Sequence, residues 1–153
     1  EKIERCVALG AEGGHVRHAG SFVDAVKEWT GGTGMDVILD PVGGAYLEDN
    51  IASLAVDGRL VIIGLMGGAK AELPIGVAMV KRLRVIGSTL RARSVAAKAE
   101  VMDQLEARVW PRIAAGEIRP IIDARMPITE AAKAHELLAS DATFGKVLLT
   151  LEA

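Results

Sequence analysis

Three short runs of apolar residues, each followed by a glycine-bearing turn, constrain this chain more than any other feature. They are MDVILD (35–40), RLVIIGLM (59–66) and LRVIGSTL (83–90). None alternates apolar with polar residues, so neither face is marked for solvent. That is the signature of strands in a parallel sheet covered by helices on both sides. Helical patterns fill the spaces between them. Ser21 precedes FVDAVKEWT, which is closed by Gly31-Gly32; AYLEDNIASLA covers 45–55; a short helical turn covers 75–81 after Pro74. Strand-helix alternation of this kind means βαβ units. Asp57-Gly58 reads as a turn into the second strand.

The flanking segments extend the pattern. EKIERCVALG opens as a helix over 1–9, with Ile3, Cys6, Val7 and Gly10 on one side, and an extended piece follows at 15–18. A long helix is expected over 94–115, with Ala97, Val101, Leu105 and Val109 on one face, ended or kinked by Pro111. IIDARMPI (121–128) alternates, Thr129 caps EAAKAHELLA, and KVLLTL (146–151) is a last strand. The altered strand character after about residue 118 suggests a boundary there. A helix at the first residue, with no cap and no initiating Met, suggests the C-terminal part of something longer.

Composition narrows the function classes. Half of the 153 residues are apolar, only 3% are aromatic, and the net charge is −2. Lys81, Arg82 and Arg84 form the densest basic cluster, without interleaved aromatics, so a solvated edge fits better than a nucleic-acid surface. Cys6 is the single cysteine, which leaves no disulfide framework or thiolate metal site within the chain and fits a reducing, cytoplasmic setting. No apolar run is long enough for a membrane span.

In a doubly wound sheet, ligands bind beyond the C-terminal ends of the strands. Three such ends here carry glycine or small residues: DPVGG (40–44), GLMGG (64–68) and GSTLR (87–91). Bare backbone lets a ligand approach closely, so the succession favours a ligand groove over three plain turns. The dinucleotide fingerprint G-x-G-x-x-G is absent. Gly32-Thr33-Gly34 precedes a strand instead of following one and reads as a helix stop. Asp40 either bonds a ribose or caps the next turn through the Val42 and Gly43 amides. His15, His18 and His135 lack ligand spacing, and a structural role suits His135. Ser88 has no nucleophile-elbow context.

These stretches, in this order, resemble the zinc-independent quinone oxidoreductases of the medium-chain dehydrogenase/reductase superfamily, the zeta-crystallin-like group. EKIERCVALGAE is similar to the helix after that family's second Rossmann strand. DVILDPVGG, GRLVIIGLMGG and KRLRVIGSTLRARS match the next stations, and ITEAAKAHELLASDATFGKVLLTL matches the ending. The resemblance implies an α/β fold: an incomplete doubly wound Rossmann-type parallel sheet over 1–118, lacking its first strands and glycine fingerprint. Residues 119–153 would return to a GroES-like catalytic domain. In the strand order 3-2-1-4-5-6 the chain would keep strand 3 (about 15–18) and strands 4 to 6.

The implied cofactor is NADPH, with hydride passing directly to a quinone or enone without metal. Lys2 matches a lysine that pairs with the adenosine 2′-phosphate, though a solvated lysine fits as well, and His18 falls near the same phosphate but suits an exposed surface. Asp40, Val42 and Gly43 match the strand end beside the ribose. Gly64, Leu65, Met66 and Gly67 match the wall beside the nicotinamide ribose, where packing is the competing role for Leu65 and Met66. Ser88, Thr89 and Leu90 match the segment whose main chain meets the carboxamide; Arg91 and the Thr143–Lys146 turn are weaker matches. No residue is implied as catalytic. The strand at 83–90 would pair across a two-fold in a homodimer. Alternatives of the same superfamily are an enoyl reductase or a zinc alcohol dehydrogenase. From a different class comes an inactive or dimerisation-only Rossmann fragment. A methyltransferase-like Rossmann domain is disfavoured by the C-terminal helix-strand ending.

Overall fold

The computed structural model describes residues 1–151. The chain forms two compact units, Glu1–Arg93 and Ser94–Ala153. In the first unit, helices α1 (Lys2–Ala8) and α2 (Val23–Trp29) precede strand β1 (Met35–Asp40). Helix α3 (Leu47–Ser53), strand β2 (Leu54–Ile62), helix α4 (Ile75–Val80) and strand β3 (Arg84–Gly87) follow. The strands make one parallel sheet in the order β1-β2-β3.

The core of this unit is small. Ile51 on α3 and Leu54 and Leu60 on β2 are fully buried, with Ile38, Leu47, Ile62 and Leu83 packed against them. Ile38, Leu60 and Val85 are register partners, as are Asp40, Ile62 and Gly87. The intervening row runs through Leu39, Val61 and Ile86. On that row Leu39 remains 63% exposed and Ile86 41%, and Val37 on the same face is 50% exposed. The uninterrupted apolar runs thus mark strands suited to burial on both faces, while this unit covers chiefly the α3 face.

The expected turn at Asp57-Gly58 lies inside β2. From Met35↔Leu54 to Val37↔Arg59 the pairing advances two residues along β1 and five along β2, so the extra residues form a bulge. Asp57 takes φ 63° at its crest, and its N–H donates to the Lys81 carbonyl at 2.7 Å. The helix expected over 45–55 gives way to strand at Leu54 for the same reason.

A correction concerns 15–18. No strand forms there; Arg17–Ala19 is a 3-10 turn. A strand exists only through a ladder partner, and none lies beside this segment among the described residues. His15 instead bonds the Gly20 carbonyl through Nε2 at 3.0 Å.

In the second unit, Pro111 divides the long helix into α5 (Val95–Arg108) and α6 (Trp110–Ala114), because proline has no N–H for the helical ladder. Ser94 caps α5, its Oγ accepting from the Ala97 N–H. Strand β4 (Ile122–Pro127) pairs in parallel with β5 (Lys146–Thr150), with α7 (Ala131–Ala139) between them in sequence. Thr129 does not cap α7: it sits in a 3-10 turn, Ile128–Glu130, and no side chain caps the helix start. Glu130 pairs instead with Lys133, Nζ to Oε1 at 2.6 Å.

Candidate functional site at the strand ends

The C-terminal ends of β1, β2 and β3 lie along one edge of the sheet, as the parallel order requires. At the end of β1, Asp40 is 3% exposed. Its carboxylate accepts from the Val42 N–H at 2.7 Å through Oδ1 and from the Gly43 N–H at 2.9 Å through Oδ2. Both oxygens therefore hold the turn that stops the strand, and a buried carboxylate is satisfied in the process. Of the two roles open to Asp40, turn capping is the one this geometry displays.

The two glycine loops bind each other. The N–H groups of Gly44 and Ala45 donate to the carbonyls of Gly68 (2.8 Å) and Gly67 (3.1 Å), and that of Gly67 returns to Val42 O at 2.7 Å. Met66 N–H reaches Pro41 O at 3.3 Å. A Cβ on Gly44 would stand 2.7 Å from Lys70 O, and one on Gly64 would stand 2.5 Å from Pro41 O. Main chain touches main chain, and only residues without a side chain permit it. The adjacent glycines of DPVGG are required by the loop opposite.

Room for a ligand opens one strand further along. A cleft of about 480 Å³ lies between the ends of β2 and β3, lined by Ile62, Ile63, Gly64, Leu65, Gly87, Ser88 and Thr89. Gly87 differs from the loop glycines, since a Cβ there would meet nothing within 4 Å. The Ser88 N–H donates to Ile62 O at 2.9 Å and fixes the start of the segment beyond β3. Among the described residues no titratable side chain lines the cleft. It offers apolar walls, two hydroxyls and main-chain polar groups, a surface that can orient a flat polar ring but cannot by itself exchange protons with it.

The residues singled out in the sequence divide accordingly. Gly64, Leu65, Ser88 and Thr89 come together in the cleft. Asp40, Val42, Gly43 and Gly67 form the adjoining loop contact. Met66 and Leu90 stand 86% and 53% exposed, and Leu65 58%, so none is core packing. Lys2 opens α1 and His18 lies in the 3-10 turn, where its Nε2 accepts from Arg17 Nε at 3.1 Å; neither lines the cleft. The cleft also takes in Ile62 and Ile63, which the sequence marks only as strand interior, and Gly87, whose place at the end of an apolar strand the GSTLR segment already marked.

The basic cluster is partly solvated and also paired: Lys81 is half-buried, whereas the Arg82 side chain is 63% exposed. Lys81 Nζ donates to the carbonyls of Ala52 (2.8 Å) and Leu54 (2.6 Å), closing the C-terminal end of α3. Arg82 forms a two-pronged pair with Asp57, both contacts at 2.8 Å. This contact holds the Asp57 carboxyl below its usual range and raises the Arg82 guanidinium. His135 is exposed on α7. Among the described residues no group of His, Cys, Asp and Glu is arranged to hold a metal ion.

Comparison with known proteins agrees with this architecture. The chain is 28% identical over 152 residues to quinone oxidoreductase-like protein 2 of Bos taurus, covering 99% of this chain and 43% of that protein. It is 26% identical over 132 residues to quinone oxidoreductase of Homo sapiens, covering 86% and 38%. Among solved structures, Escherichia coli quinone oxidoreductase complexed with NADPH superposes with a TM-score of 0.80 at 27% identity, over 96% of this chain and 45% of that one. An NAD-dependent alcohol dehydrogenase gives 0.79 at 29% identity, over 98% and 41%. The chain thus spans about two-fifths of the length of such proteins. The family model described as zinc-binding dehydrogenase matches residues 9–149, and the chain belongs to that family of oxidoreductases.

Proposed function

We propose that these residues are part of an NADPH-dependent oxidoreductase that reduces a quinone or enone without a metal. The observation that carries the reading is the cleft between β2 and β3, with Gly87 open, Ser88 and Thr89 beside it and no titratable group along its walls. When bound, the nicotinamide supplies the hydride. The chain supplies position: the Ser88–Thr89 backbone and hydroxyls orient the ring's polar edge, while Ile63 and Leu65 form a wall that excludes water. The two glycine loops hold the ends of β1 and β2 together, so that this wall is fixed before a ligand arrives. Lys2 serves the 2′-phosphate as a point charge. Residues 119–153 belong to the catalytic domain of the whole protein, which works in the cytoplasm. The likeness to the quinone oxidoreductases supports quinone over alcohol as substrate, and NADPH is supported by Lys2 and by the cofactor of the Escherichia coli protein.

A second reading draws on β3. Among the described residues it pairs only with β2, and Arg84 to Gly87 are all exposed. An open edge of that kind suits pairing with the same strand of a second copy, in an active homodimer or in a dimerisation-only fragment.

The test uses a longer protein containing residues 1–153 in an intact two-domain arrangement, assayed for oxidation of NADPH with para-benzoquinone. Turnover that survives EDTA is expected. Turnover lost with the metal, or NADH used in preference, overturns the reading. The 153-residue chain by itself is expected to show no reductase activity and to bind NADPH weakly at most, and binding at about 1 µM or tighter would contradict the second expectation.

A further inference from the structure

A second cavity lies at the opposite end of the same sheet, where β1 and β2 begin. It measures about 300 Å³, at the small end of the range usual for ligand sites. Its walls come from α2, from the Gly32–Gly34 turn before β1, from the junction of α3 with β2, and from Lys81 after α4. Local contacts fix these walls. The Thr30 hydroxyl donates to the Val26 carbonyl at 2.7 Å and accepts from the Gly34 N–H at 2.9 Å, which ties the turn to α2. Gly34 in turn lies against the start of β2, where a Cβ would stand 2.8 Å from Ser53 O.

Three observations specify what fits. Ser53 ends α3, lines the cavity and is 3% exposed, yet its Oγ has no hydrogen-bond partner. A buried hydroxyl of this kind calls for an acceptor from outside the chain. Lys81 brings positive charge, its Nζ donating to the carbonyls of both residues that flank Ser53, Ala52 at 2.8 Å and Leu54 at 2.6 Å. Its third contact, to Ile51 O, is stretched to 3.5 Å and leaves one N–H weakly engaged. The unit charge outweighs the roughly half charge at a helix C-terminus. Lys27 also lines the cavity but is paired with Asp24 at 2.9 Å, and among the described residues no Asp or Glu lines it. The other walls are apolar: Val26 and Leu54 are buried, and Val56, 54% exposed, stands at the rim.

We propose that this cavity binds a small monocarboxylate with an apolar body, a short-chain or aromatic acid. One carboxylate oxygen accepts from the Ser53 hydroxyl and the other from Lys81 Nζ, while the hydrocarbon part covers Val26, Leu54 and Val56. Phosphate suits the site less, because the apolar walls leave its remaining oxygens without donors. The nine-residue strand β2 separates this site from the cleft at the strand ends by roughly 20–25 Å. Neither the cofactor nor the family enters the argument for it.

The test titrates the 153-residue chain with sodium benzoate and reads backbone amide shifts by NMR. Saturable shifts centred on 32–34 and 52–56 are expected, with a Kd of about 0.1–1 mM for so small a ligand. Benzamide keeps the ring and loses the charge, and is expected to bind about fivefold more weakly or worse. Ser53→Ala is expected to leave the melting temperature of the empty chain unchanged or raised, because an unpartnered buried hydroxyl is gone, while weakening benzoate about threefold to tenfold. That opposition separates a ligand-binding hydroxyl from a structural one. Val56→Glu sets a like charge at an exposed position on the rim and is expected to weaken benzoate by a similar factor. Absence of saturation by about 20 mM, equal affinity for benzamide or for inorganic phosphate, unchanged affinity in Ser53→Ala, or shifts at 62–65 and 87–89 alone would each overturn the proposal. Such a failure leaves NADPH turnover by the longer protein untouched, so the two readings stand or fall separately.

Discussion

Replacing Asp40 by Ala separates the two roles that its position allows. The structure gives the carboxylate two backbone hydrogen bonds, at 2.7 and 2.9 Å, within a residue that is 3% exposed. A hydrogen bond to a charged acceptor is worth about 1.5–3 kcal/mol net. Val42 is half-buried, so its N–H recovers part of its loss from water, whereas Gly43 is buried and its N–H stays unsatisfied. The expected destabilisation is therefore about 2–4 kcal/mol, a large share of the 5–15 kcal/mol that a domain commands. With a urea slope of about 2 kcal/mol/M the midpoint falls by about 1–2 M. The measurement is urea unfolding read from Trp29, which lies in the same unit, in a Trp110→Phe background that silences the other unit. Asp40→Asn keeps one acceptor and sets an amide N–H against the other donor, so about half the loss is expected. A change below about 0.5 kcal/mol for Asp40→Ala would refute the turn role. If the longer protein also lost NADPH affinity, the carboxylate would be serving a ribose.

Further outcomes follow from the same contacts. Gly64→Ala places a Cβ 2.5 Å from Pro41 O and forces the two loops apart; a loss of about 1–3 kcal/mol is expected by denaturant unfolding, against almost none for Gly87→Ala, whose Cβ has open space. In the longer protein the order reverses, since Gly87→Ala intrudes on the cleft and is expected to raise KM for NADPH. The Asp57–Arg82 pair predicts a pH dependence. Because the contact lowers the Asp57 pKa in the folded chain, its stabilisation is complete above the ordinary carboxylate value and is lost as pH falls through the lowered one. Thermal melts from neutral to acidic pH should show that acid-side loss, reduced in Asp57→Asn and at high salt.

Some of this architecture could be read from residues directly. The three apolar strands, the helices between them and the break at Pro111 follow from local preference and periodicity, because an apolar run with no polar alternation has few other ways to be buried. The gathering of all three glycine-bearing turns at one end of the sheet was legible for a related reason: parallel connections put them there. Other features depended on contacts between residues distant in sequence. Whether Asp40 faced a ribose or its own turn was open until the Val42 and Gly43 amides were placed. The double glycine at 43–44 read as a ligand cradle, and only the position of the 64–70 loop showed that bare backbone meets bare backbone there. Lys81 and Arg82 read as surface charge, and only the placement of α3 and the β2 bulge showed which groups they pair with. The segment at 15–18, expected as a strand from the resemblance, has no neighbour to pair with among the described residues. Sequence determined which elements form and at which end their loops gather, since both depend on short-range pattern and chain direction. Tertiary structure decided what each polar group and each glycine is for, because those roles exist only where distant backbone comes within a few ångströms.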